Sequence, residues 1–200
     1  LTSAMLESGV KPVRFLDPSA GTGIFGQYAD LANPSAEITC FEKDPLTALI
    51  LKHLNPTFTV RAQGFESIEG KYNGYYDVIA SNIPYGDVAL FDPAFSTHID
   101  PVRRQGTRTL HNYFFMKSVD TVRDGGIIAF ITSQGVLNSE QNRPVREWLA
   151  QRCNVVFAVR LPNNLFTDYA GTEVGSDLIV LQKRPQGEDA VTHRQQDFIE

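Results

Sequence analysis

Cysteine is scarce, with two residues, Cys40 and Cys153, among 200. Neither sits at metal-ligating spacing, so a zinc site or a disulfide scaffold has no support, and both read as small buried apolar residues in strands. Long apolar runs are also missing; none approaches the roughly 18 residues of a membrane span. The chain opens at Leu1 without a basic segment or an apolar signal core. Secretion and membrane association are therefore not expected, and a reducing cytoplasm is the expected setting. Because Leu1 is not an initiator Met, we expect a piece of a longer protein. Positive charge is not in excess either: 18 Lys and Arg against 23 Asp and Glu leave −5, unlike a bulk neutraliser of nucleic acid. What is present is 42% hydrophobic residues, 20% charged residues, 15 Gly and 11 Pro, the composition of one folded domain.

Apolar runs and helix signals alternate. Strands are expected at Val13–Leu16, Ile38–Phe41, Phe58–Ala62, Asp77–Ala80, Ile127–Thr132, Asn154–Val159 and Asp177–Gln182. Helices are expected over 3–8, over Ile24–Leu31, from the Asp44-Pro45 cap to Asn55-Pro56, over Thr109–Val122 and over Pro144–Ala150. Residues 86–107 read as a long irregular connection, and Asp124-Gly125-Gly126 as the stop of the helix before them. The pattern implies an α/β sandwich on a mostly parallel, seven-stranded sheet. Residues 1–184 form its domain, and the last sixteen residues, from Pro185, read as a polar, peripheral extension.

Two segments carry chemistry. DPSAGTGIFG, 17–26, follows the first strand, where small residues let a backbone approach a ligand and the next helix offers free N–H groups. Glu42 ends the second strand, where a carboxylate can accept from ribose hydroxyls. Gly21, Gly23 and Gly26 also spell the dinucleotide fingerprint, so this loop indicates an adenosine-containing ligand and leaves nicotinamide and S-adenosylmethionine both open. The second segment, Asn82-Ile83-Pro84-Tyr85, follows the fourth strand at the carboxyl edge of the sheet. An exocyclic amine such as adenine N6 is a poor nucleophile because its lone pair is delocalised. Two neutral acceptors, the Asn82 side-chain oxygen and the Ile83 carbonyl, would favour its tetrahedral transition state. Pro84 removes a competing donor, and Tyr85 offers a flat face to a base taken out of the duplex.

In this order, DPSAGTG, Glu42 and NIPY resemble the N6-adenine DNA methyltransferases of the gamma order. They also resemble the modification subunits of type I restriction systems and the methylase regions of methylase–helicase proteins on mobile elements. GGIIAFITSQGVL, 125–137, and RLPNNLF, 160–166, extend the resemblance over about residues 13–182. It implies a class I S-adenosylmethionine-dependent methyltransferase fold. Asp17, Pro18, Ser19, Ala20, Gly21, Thr22 and Gly23 would hold the methionine part, Glu42 and Lys43 the ribose region, and Phe65 the adenine, with Asn82 at their border. Asn82, Ile83, Pro84 and Tyr85 would be catalytic. DNA would be the substrate, and a fused or associated helicase or nuclease with a target-recognition domain the partner. Three features depart from the pattern: Ile83 replaces a Pro, Gly64 stands where an Asp often precedes the aromatic, and an upstream segment ending in Thr-Pro is absent. Without that segment, the 200 residues are expected to fold but to bind cofactor and DNA weakly.

Other chemistries stay open. A protein-glutamine methyltransferase would use the same tetrapeptide, a non-catalytic binding module would keep the same loops, and a nicotinamide dehydrogenase would share the glycines. Arg103, Arg104 and Arg108 form a basic cluster that could meet phosphate. His98 and His111 have no metal-ligand spacing. Asp168, Tyr169 and Glu173 read as a polar turn, and Tyr72–Tyr76 as loop packing.

Overall fold

The computed structural model describes residues 13–84, 86, 88–162, 175–185, 187 and 193–199, with side chains in the last stretch from residue 196. The strands are β1 (Arg14–Asp17), β2 (Glu37–Phe41), β3 (Thr59–Arg61), β4 (Tyr76–Asn82), β5 (Val122–Ser133), β6 (Cys153–Arg160) and β7 (Ser176–Lys183). The helices are α1 (Ile24–Ala32), α2 (Pro45–Leu54), α3 (Pro93–Ser96), α4 (Pro101–Gly106), α5 (Leu110–Thr121), α6 (Gly135–Asn138), α7 (Arg143–Ala150) and α8 (His193–Ile199). The expected helix over 3–8 lies outside the described residues.

The strand order is β3-β2-β1-β4-β5-β7-β6, with β1 to β5 parallel and β7 antiparallel to both of its neighbours. The expected sheet is present, with this single antiparallel strand inserted. Its insertion argues against the dehydrogenase reading, because the usual dinucleotide-binding order, 3-2-1-4-5-6, has no antiparallel strand between the fifth and sixth.

Side-chain alternation builds two cores, one on each face of the sheet. Phe15, Val78, Ala80, Ala129 and Val180 face α1 and α2. Leu16, Ile79, Phe130, Ile179 and Leu181 face α5 and α7, where Tyr113, Phe115 and Trp148 are buried. Cys40 and Cys153 are fully buried in strands, as expected.

Three expectations are corrected. The stretch 86–107 is not irregular throughout. It holds α3 and α4, each started by an Asp-Pro pair like the one that starts α2. Asp92 accepts from Ala94 N at 2.8 Å, and Asp100 from Val102 N at 2.9 Å. Asp124-Gly125-Gly126 does not separate helix from strand, since α5 passes directly into β5. Gly125 has φ +75°, and a Cβ on Gly126 would lie 2.9 Å from the Asp77 carbonyl oxygen. The two glycines thus lie opposite the β4–β5 register shift between Tyr76 and Val78. Finally, the stretch expected to be peripheral contains a packed helix, α8. Phe198 of α8 is 6% exposed in the core, and buried Arg146 donates to the Ile199 carbonyl at 3.0 and 3.1 Å.

Candidate active site

β1 and β4 are neighbours, yet the chain leaves them toward opposite faces, to α1 from β1 and to α5 from β4. That divergence opens a crevice at their carboxyl ends. A cleft of about 740 Å³ lies there. Its walls include Pro18, Ser19, Glu42, Lys43, Phe65 and Pro84 from the expected set, together with Asp44, Glu66, Phe114 and the apolar run Val88–Phe91.

The glycine loop is built by its own backbone. Ala20 N donates to the Phe41 carbonyl at 2.9 Å, and Gly23 N to the Ala20 carbonyl at 2.8 Å. Gly21 and Gly23 have φ of +53° and +93°. A Cβ on Gly21 would meet nothing, so its surroundings are open, whereas one on Gly23 would strike the Leu51 side chain. Ala20, Thr22 and Gly23 accordingly shape the loop without lining the cleft. Glu42 ties loop to sheet, accepting from Gly21 N at 2.9 Å and from Asp44 N at 2.8 Å. A carboxylate offers about four acceptor positions, so capacity remains for a diol.

Asp17 ends β1 fully buried. Its Oδ1 accepts from the Ser81 hydroxyl at 2.6 Å and from Ser19 N at 3.2 Å, while Oδ2 has no partner among the described residues. Burial pushes its pKa up to about 7 against those two hydrogen bonds, with a further push from Glu42. Ser81 was not singled out in the sequence. It joins the glycine loop to the strand that presents Asn82, and only its place beside Asn82 could have signalled it.

Asn82 is the last residue of β4 rather than the first residue after it, and its side chain is exposed. It makes no side-chain hydrogen bond among the described residues and does not line the cleft. Ile83 is 1% exposed and anchors the turn, donating from N to the Ile131 carbonyl at 3.0 Å. Tyr85 lies outside the described residues, as do residues 163–166 of the RLPNNLF segment and the turn with Asp168, Tyr169 and Glu173. Phe65 borders the cleft but is 1% exposed, packed against Phe41 and Phe114 at centroid distances of 6.0 and 5.4 Å.

The basic cluster divides. Arg103 is paired with Asp120, and its guanidinium lies 4.2 Å from the Phe95 ring centroid. It is structural, which corrects the expected phosphate role. Arg104 donates to the carbonyls of His98 and Ile99. Arg108 is exposed and has no ion pair among the described residues. His98 Nδ1 accepts from Asp100 N at 3.0 Å, and His111 is buried beside Asn142. Tyr72, Tyr75 and Tyr76 pack on one another. No metal-binding cluster occurs among the described residues, and no helix among them is long and apolar enough to cross a membrane.

The fold is that of the class I S-adenosylmethionine-dependent methyltransferases. A Listeria monocytogenes protein described as one superposes with a TM-score of 0.74 at 16% identity, over 96% of this chain and 59% of that one. The M protein of the type I restriction enzyme EcoKI (EC 2.1.1.72) superposes with a TM-score of 0.65 at 20% identity, over 87% of this chain and 40% of that one. The family described as Eco57I restriction-modification methylase matches residues 36–166, and the chain belongs to it. Defense against restriction protein B of Escherichia phage P1 is 24% identical over 174 residues. That match takes in 85% of this chain and 7% of the phage protein's length.

Proposed function

We propose that the chain is the catalytic domain of a methyltransferase that moves a methyl group from S-adenosylmethionine to the N6 amino group of adenine in DNA. The observation that carries this reading is the placement of Asn82. Its side chain emerges at the switch point without a partner among the described residues, one residue from an anchored Ile83 and two from Pro84 in the cleft wall. The cleft and the loop beside it fit the cofactor: Glu42 in the cleft wall has spare acceptor capacity, Gly21 in the adjoining loop leaves open space, and the buried Asp17 Oδ2 has no partner among the described residues. Asp17, Ser19, Gly21 and Glu42 would hold it, and when bound it supplies an electrophilic methyl group on a sulfonium. The Asn82 oxygen and the Ile83 carbonyl accept from the two N–H bonds of the target amine and favour a tetrahedral nitrogen. Tyr85 stacks on the extruded base, and Arg108 meets backbone phosphate.

The domain takes in α8 as well as residues 1–184, since Phe198 completes the core. Membership of a restriction-modification family and the small share of the phage protein spanned support a role inside a larger protein, for which we propose a cytoplasmic setting. Helicase or nuclease parts and a target-recognition domain would be its companions. The test is the full-length protein with labelled cofactor, offered duplex DNA and a glutamine-bearing protein substrate. Label in N6-methyladenine is expected. Label in protein glutamine instead, or cofactor binding with no transfer, would overturn the reading.

A further inference from the structure

Beside Phe65 in the cleft wall, the side chain of one residue occupies the space next to the backbone of another. Gly64 opens the turn Phe65–Ser67 with φ −72° and ψ 157°, a conformation open to any residue. A Cβ there would nevertheless fall on the carboxylate of Glu66, meeting both of its oxygens. The turn is held by Ser67, whose N and Oγ donate to the Gly64 carbonyl at 3.0 and 2.7 Å. Glu66 therefore folds back over residue 64 and fills the volume that a side chain there would occupy. Gly64, Phe65 and Glu66 all line the cleft, and Glu66 has no ion pair or hydrogen bond among the described residues.

Three carboxylates line the cleft; Asp44 is engaged as the cap of α2, accepting from Thr47, which leaves Glu42 and Glu66, each next in sequence to one of the paired aromatics Phe41 and Phe65. Ionised carboxylates only accept hydrogen bonds, so a ligand filling the space must bring donors to both. An adenosine does, with its ribose hydroxyls and its exocyclic amine. A keto oxygen at the same ring position would bring lone pairs against lone pairs.

We propose that Glu66 reads the base of the bound nucleoside by accepting from the exocyclic amine of adenine, and that Gly64 is the vacancy that lets it do so. This deepens the cofactor reading above and rests on it.

The test compares S-adenosylhomocysteine with S-inosylhomocysteine, whose base carries a keto oxygen in place of the amine, by calorimetric titration of the full-length protein. The wild type is expected to prefer the adenosyl compound by at least about tenfold. In Glu66→Ala, adenosyl affinity should fall about 10- to 100-fold and the preference shrink to within about threefold. The double variant Gly64→Asp/Glu66→Ala, which returns a carboxylate to the same volume from residue 64, should restore the preference. Tight adenosyl binding by the wild type with an unchanged preference in Glu66→Ala would overturn the Glu66 assignment alone. Binding of neither compound by the wild type would overturn the cofactor reading and this inference with it.

Discussion

Replacing Asp17 with Asn should stabilise the chain at pH 8 and not at pH 4. Asp17 is fully buried, and burial lifts its pKa from an ordinary 3.8 to about 7. Between those values the folded state holds a proton that the unfolded state has released. Stability therefore falls as pH rises across this window, and the whole penalty is present above pH 7. Three units at about 1.4 kcal/mol each amount to about 4 kcal/mol. An Asn keeps an oxygen for Ser81 and for Ser19 N, but it places an NH2 where Oδ2 has no partner among the described residues, at a cost of about 1–3 kcal/mol. The net expectation is a gain of about 1–3 kcal/mol at pH 8. At pH 4, where the folded wild type is already neutral, the variant should be equal or slightly less stable. Urea unfolding of the two chains at both pH values measures this. Equal destabilisation at both would refute the argument that desolvation of Asp17 sets its energy. A substitution that stabilises at such a position marks a residue kept for binding rather than for stability.

Glu42→Ala should weaken S-adenosylmethionine binding by roughly 10- to 100-fold in a calorimetric titration, because it removes charge-assisted hydrogen bonds to the ribose. Asn82→Ala should lower the rate of methyl transfer about 10²- to 10³-fold while cofactor affinity stays within a few-fold, since the lost acceptor acts in the transition state. Near wild-type turnover would sink the amine-gripping mechanism. Arg103→Ala and Arg108→Ala should part company. The first should lower stability by about 1–3 kcal/mol by stranding Asp120 and unstacking from Phe95. The second should leave the unfolding midpoint alone, weaken DNA binding and reduce the salt slope by about one. A normal salt slope in Arg108→Ala would remove that residue from the interface.

The seven strands and the helices α1, α2, α5 and α7 were legible from local pattern, because apolar periodicity and Asp-Pro caps act over a few residues. The same cap signal stood before α3 and α4, at Asp92-Pro93 and Asp100-Pro101, but those helices are too short for periodicity to register. The positions of both loop segments were legible too: a glycine turn after a strand and an Asn-Ile-Pro at the end of another are short-range statements. Tertiary structure alone decided what lies far apart in sequence. The pairing of β1 with β4 brings Ser81 to Asp17, 64 residues away, and sets the two motifs side by side. The crossing of α4 over α5 sets Arg103 against Asp120 and takes it out of a basic cluster that charge counting had assembled. The register shift between β4 and β5 makes Gly125 and Gly126 part of a strand rather than the end of a helix. Such contacts depend on how distant segments share one sheet and two cores, and local propensity carries no record of that choice.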